Sequence, residues 1–130
     1  MVLIDTATFI FLCKGSHLLT LKAKQLIAKS NTVWLPEVSI WEMVGLSRKG
    51  KAVPTADQLR EFVEENLASY GIGVLPFDRN IVWQCVHLPW HHSAPFDRYL
   101  VQTAITQGVP FLSPDAPLRV YRPAGLQLVW

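Results

Sequence analysis

Short, wholly apolar runs alternate with longer amphipathic ones along this chain, and that alternation limits the folds open to it. Val2-Leu3-Ile4-Asp5, Val33-Trp34-Leu35, Gly73-Val-Leu-Pro-Phe77 and Pro110-Phe-Leu-Ser113 are strand candidates with no polar face. Strands of that kind belong to parallel sheets covered by helices on both sides. Between them, residues 17–29 carry Leu18, Leu21, Ala23, Leu26 and Ile27 on one side, and Asn31 is a stop. Pro36 opens a second helical stretch at the position where a helix accepts proline, and Gly50 ends it. Thr55-Ala-Asp-Gln58 has the pattern of a capping box, for a helix that runs to Tyr70 and stops at Gly71. Asp78 caps a helix over 79–87, closed by Pro89. In PFDRYLVQTAITQG, residues 95–108, Phe96, Leu100, Val101, Ala104 and Ile105 recur at the spacing of a buried helix face. Leu128–Trp130 adds a last edge strand. The expected architecture is α/β: a three-layer α/β/α sandwich with a mainly parallel central sheet, as one domain over residues 1–130.

Half of the 130 residues are apolar, more than a domain of this size can hide. A hydrophobic surface reserved for a partner or for a second copy is therefore expected. The net charge of +2, from 12 basic and 10 acidic residues, permits a nucleic-acid partner without announcing one. Cys13 and Cys85 have no CxxC spacing and read as reduced thiols. MVLIDTATFIFLCKG has Asp5 inside its apolar run and no basic leader, so it does not read as a signal peptide. No apolar run approaches the ~18 residues of a membrane span, so no membrane partner and a cytoplasmic location are expected.

The acids carry the chemistry. Asp5 lies at the C-terminal end of the first strand and Asp115 just beyond that of the fourth. In a parallel sheet those ends share one rim, where open α/β sheets place their sites. Asp97 stands in the first turn of a helix whose N-terminus faces the same rim, and Glu42 lies in PEVSIWEMVGL, a stretch apolar nearly all round. Taken singly, each acid has a plainer role: Asp5 and Asp115 as caps, Asp97 as a partner of the helix dipole, Glu42 in an ion pair. Taken together, they repel. Two carboxylates ~4 Å apart cost about 4 kcal/mol at an effective dielectric of 20, against a net domain stability of roughly 5–15 kcal/mol. Such a cluster needs protons or a cation, and all-oxygen ligands suit Mg²⁺ or Mn²⁺. Acidic clusters holding one or two such ions hydrolyse phosphodiesters.

At this point the residues resemble a known family. LIDTATF at 3–9, VSIWEM at 38–43, LPWHHSAPFDRYLVQTA at 88–104 and LSPD at 112–115 are similar, in this order, to the PIN-domain ribonucleases, specifically the VapC-like toxins of toxin–antitoxin modules. The resemblance implies a PIN-like α/β/α fold and a metal-dependent endoribonuclease using one or two Mg²⁺ or Mn²⁺ ions. It places the family's acidic positions on Asp5, Glu42, Asp97 and Asp115, as catalytic and metal-holding residues, and its small hydroxyls on Thr6 and Ser113. It further implies an RNA substrate, a homodimer, a cognate antitoxin that covers the site, and products with a 5′-phosphate and a 3′-hydroxyl. Ala94 and Ala7 depart from the family pattern, as does Ser113-Pro114 where Thr-Ala is common.

RNA backbone contact is expected from Arg48, Lys49, Lys51 and Arg98, with Lys14 beside them. Such contacts give affinity without sequence choice. The run SRKGK at 47–51 reads equally as a solvated helix end favoured by the dipole. His87 and His91 are four apart, but Pro89 lies between them, and they read as supports for the loop ahead of Asp97 rather than as zinc ligands. The five tryptophans are expected mostly in core or interface. Two alternatives stay open: a catalytically inert PIN-like binding module, and a metal-dependent phosphodiesterase acting on DNA.

Overall fold

The computed structural model describes all residues, Met1–Trp130. Its five-stranded sheet has the order β3-β2-β1-β4-β5, and every pairing is parallel. The strands are β1 (Val2–Ile4), β2 (Val33–Pro36), β3 (Ile72–Leu75), β4 (Pro110–Leu112) and β5 (Gln127–Val129). The helices are α1 (Thr6–Lys14), α2 (Leu21–Lys29), α3 (Glu37–Arg48), α4 (Ala56–Tyr70), α5 (Arg79–Gln84) and α6 (Pro95–Gln107). Two 3₁₀ stretches, Cys85–His87 and Ala116–Ala124, complete the chain.

β1 is the middle strand and is wholly buried. Val2 and Ile4 point into a core built with Phe9, Ala23, Met43 and Val63 from α1, α2, α3 and α4. Leu3 points the other way, into a core with Ile81, Leu100, Val101 and Ala104 from α5 and α6. That two-residue alternation into two separate cores is what a covered parallel sheet requires. The result is the three-layer sandwich expected from the sequence, with a sheet that is entirely rather than mainly parallel.

Several local expectations are corrected. The sequence reading assigns no helix to residues 6–14, which form α1. TATFIFLCK is rich in β-branched and aromatic residues and has no polar stripe, so its pattern does not separate helix from strand. The helix expected over 17–29 begins only at Leu21, because Thr20 takes the N-cap and accepts the Ala23 N–H at 3.1 Å. Pro36 ends β2 and caps α3 instead of occupying its first turn. Thr55 stands at the N-cap of α4 but makes no side-chain cap bond, so the capping box is not formed. Asp78 does cap α5, accepting the Asn80 N–H at 2.8 Å, but that helix gives way to a 3₁₀ turn at Cys85. α3, apolar nearly all round in sequence, leaves Trp41 and Val44 exposed.

Candidate metal centre

The order 3-2-1-4-5 makes the β1–β4 junction the point where successive connections turn to opposite sides. Just outside the carboxyl ends at such a point is where α/β sheets hold ligands. Asp5 leaves β1 there, its N–H donating to the Leu112 carbonyl of β4 at 3.1 Å. A hollow of about 260 Å³ opens at this junction, lined by Asp5, Thr6, Ala7, Glu42, Asp97, Leu100, Pro114 and Asp115. All four acids named from the sequence line it, and no lysine or arginine does.

Each acid arrives from a different stretch of chain. Asp5 is the N-cap of α1: its Oδ1 accepts the Thr8 N–H at 2.8 Å and meets the Thr8 hydroxyl at 2.6 Å. The same hydroxyl lies 2.9 Å from the Leu112 carbonyl, so α1, Asp5 and the end of β4 are fastened through one atom. Glu42 comes from the middle of α3, and its Oε1 accepts the Thr6 hydroxyl at 2.7 Å. Asp97 stands in the first turn of α6. Asp115 follows β4, its N–H donating to the Ser113 hydroxyl oxygen at 3.1 Å. Thr6 and Ser113 are both buried and both engaged with the acids. The capping role and the site role proposed for Asp5 are therefore one arrangement: Oδ1 caps the helix while the carboxylate lines the hollow.

Burial pushes the Asp5 carboxyl up to about 6, opposed by hydrogen bonds from Ser113 and Thr8 and raised further by the Glu42 charge. Burial also raises Glu42, with Thr6 opposing and Asp97 adding to the rise. Asp97 is raised by burial and by Asp115, and lowered by His92. Asp5 feels Glu42, Glu42 feels Asp97 and Asp97 feels Asp115, and the one opposing charge among the causes is that of His92 on Asp97. Raised carboxyls joined by like-charge repulsion mark a candidate functional site. The donor set, carboxylates with two hydroxyls close by, fits a hard divalent ion such as Mg²⁺ or Mn²⁺. The carboxylates line the hollow without converging: no three of them reach the mutual spacing of a formed ion site.

The basic residues divide. Arg48, Lys49 and Lys51 are exposed at and beyond the end of α3. Arg48 lies six residues past Glu42, ~9 Å along the helix. Lys14 is exposed, and its ammonium donates to the Ala52 carbonyl at 2.9 Å. Arg98 does not sit where an RNA contact would be: it is 4% exposed and its guanidinium donates to the carbonyls of Cys85, Leu88, Pro89 and His92. The pattern signal that helix positions 96, 100, 101, 104 and 105 face inward did not reveal that position 98 does too. His92 donates its N–H to the Tyr121 hydroxyl, and His91 stacks edge-on against the same ring. Sequence reasoning also missed Thr8, whose only signal was its place three residues after an N-cap aspartate.

Part of the apolar surplus is exposed. Trp41, Trp83, Val86 and Trp90 are 66–74% exposed, so three of the five tryptophans are neither core nor shielded. A groove of about 310 Å³ includes Trp41, Phe77, Val82, Trp90 and Phe96 in its lining. No helix is long and apolar enough to cross a membrane.

The family model of the PIN domain matches residues 2–122. Among curated proteins none matches the chain in sequence. Among solved structures, the chain resembles one described as VapBC2 from Rickettsia felis bound to a DNA fragment from their promoter, with TM-score 0.72 and 14% identity, covering 99% of this chain and 98% of that one. It resembles a toxin–antitoxin complex from Klebsiella pneumoniae with TM-score 0.66 and 17% identity, covering 100% and 97%. It also resembles FitAcB from Neisseria gonorrhoeae, with TM-score 0.68 and 14% identity, covering 100% and 97%.

Proposed function

The chain belongs to the PIN-domain family, and on that premise we propose that it is a Mg²⁺- or Mn²⁺-dependent endoribonuclease, the toxin of a toxin–antitoxin pair, acting in the cytoplasm. PIN domains are in general nucleases. One observation carries the reading: four carboxylates from four separate stretches line one hollow that contains no cationic side chain. The toxin role draws support from neighbours that are themselves toxin–antitoxin assemblies.

In this reading Asp5 and Asp97 would hold a divalent ion directly, and Glu42 and Asp115 would assist it or help hold a second. A divalent ion bound there supplies a water of lowered pKa and polarises the phosphoryl oxygen. Glu42 or Asp115 takes the proton of the attacking water. Thr6 engages Glu42 Oε1 and leaves the other oxygen for that role. Ser113 orients the chain at Asp115. Arg48, Lys49 and Lys51 hold RNA phosphates without reading bases. An antitoxin covers the hollow, and a second copy of the chain covers exposed apolar side chains such as Trp41, Trp83 and Trp90.

Cleavage of RNA, single-stranded DNA and a simple phosphodiester, with and without Mn²⁺, tests the reading. RNA is expected to be cut only with metal, leaving 5′-phosphate and 3′-hydroxyl ends. Asp97→Asn is expected to abolish cutting, keep the fold and stabilise the metal-free protein by relieving repulsion. DNA cut as readily as RNA, or normal cutting by Asp97→Asn, contradicts the proposal. An inert binding module would show no saturable rise in melting temperature as Mn²⁺ is added.

A further inference from the structure

Arg98 follows Asp97 in α6, yet it is not among the residues that line the hollow. Its Nη1 donates to the carbonyls of Pro89 at 3.0 Å and His92 at 3.3 Å, and its Nη2 to those of Cys85 at 2.8 Å and Leu88 at 3.1 Å. The Trp90 ring covers the guanidinium at 4.0 Å. All these partners belong to residues 85–92, the stretch that delivers the chain into α6. A buried cation is costly unless its donors are met. Here four carbonyls meet them, two of which, those of Cys85 and Leu88, lie at the end of a helical run, where its partial negative charge lies.

α6 has need of such an anchor. Its N-cap is Ala94, which has no side chain able to bond the first-turn N–H groups, and Asp97 stands in that first turn. The same stretch is tied once more, by the His92 N–H donating to the hydroxyl of the fully buried Tyr121 at 3.0 Å.

We propose that Arg98 is a positioning residue for the nuclease reaction: it clamps residues 85–92 and so sets the first turn of α6, with Asp97 facing the hollow. The inference rests on reading that hollow as a metal-dependent nuclease site. It replaces the RNA-phosphate role that the charge of Arg98 suggests in the sequence.

Three variants test it: Arg98→Met, Arg98→Lys and Tyr121→Phe. Each is measured for amide hydrogen exchange over residues 86–97, for Mn²⁺ affinity from thermal stabilisation, and for kcat and KM on RNA at saturating Mn²⁺. Arg98→Met is expected to fold, exchange faster over 86–97, bind Mn²⁺ about tenfold more weakly and lose about a hundredfold in kcat, with KM unchanged. Arg98→Lys does not rescue it, because one ammonium cannot serve a fan of four carbonyls. Tyr121→Phe shifts exchange and Mn²⁺ affinity in the same direction, less strongly. A raised KM with unchanged kcat in Arg98→Met means that Arg98 contacts RNA and overturns the proposal. So does wild-type exchange and Mn²⁺ affinity in a folded Arg98 variant. Should both Arg98 variants fail to fold, wild-type exchange and Mn²⁺ affinity in Tyr121→Phe overturn it. A wild type that binds Mn²⁺ but cuts no RNA removes the nuclease reading, and exchange and Mn²⁺ affinity still decide the clamp.

Discussion

At the scale of the residue, Asp5 joins folding to chemistry, because a single carboxyl both caps α1 and lines the hollow. Its proton affinity, raised from 3.8 to about 6 by burial, has a sign that can be checked. The folded protein holds the proton more tightly than the unfolded chain, so this group's stabilising contribution is full below 3.8 and lost as pH rises through about 6. The metal-free wild type is therefore expected to lose stability relative to Asp5→Asn across that interval, by roughly 2–3 kcal/mol. Paired urea titrations between those pH values measure it; parallel profiles for the two proteins contradict it. Mn²⁺ affinity runs the other way, rising with pH as the ligands deprotonate. Thr8 gives a second residue-scale expectation. Thr8→Val keeps the volume but removes the hydroxyl that lies between Asp5 Oδ1 and the Leu112 carbonyl. It is expected to cost about 1–3 kcal/mol in urea unfolding, as a buried acceptor loses its donor.

At the scale of the element, β2 and β3 meet with little room. Trp34 pairs with Gly73 across the strands, and a Cβ at Gly73 would lie 2.6 Å from the indole. Gly73→Ala is expected to destabilise by about 1–3 kcal/mol while leaving Mn²⁺ binding intact, since neither residue lines the hollow. A neutral Gly73→Ala would mean that the indole swings aside freely. The elements that could be read from the sequence carried a plain local signal: uniform apolarity in the strands, boundary residues around α4, and the helical spacing of five positions in α6. α1 could not be read, because a helix clad in Phe9, Ile10, Phe11 and Leu12 presents the run of a buried strand. In α3, apolar nearly all round, the sequence did not show which apolar residues lie outside; the structure turns Trp41 and Val44 outward. Glu42 was legible as an acid out of place; the hydroxyl that fixes it, Thr6, entered only through the resemblance, and Thr8 did not enter at all.

At the scale of the whole molecule, the surplus of apolar residues appears on the surface as Trp41, Trp83, Val86 and Trp90. On the second-copy proposal these side chains lie in the dimer interface. Trp83→Lys combined with Val86→Asp is expected to convert a dimer to a monomer in analytical ultracentrifugation without changing the far-UV circular dichroism; a wild type that sediments as a monomer at every concentration contradicts the second-copy reading. The three acidic positions that leave the sheet region, together with Glu42 of α3, share a hollow because β1 and β4 are neighbours in an order that sequence adjacency does not supply. Chain order placed Asp5 and Asp115 at opposite ends; pairing of Leu3 with Phe111 and Ile4 with Leu112 brings them to one rim. The claim that this rim binds a hard cation has one direct test, anomalous diffraction from crystals grown with Mn²⁺. A manganese peak is expected in the hollow, within coordination distance of Asp5 and Asp97, that vanishes in Asp97→Asn. A hollow without a peak at saturating Mn²⁺, or a peak held by other residues, contradicts it.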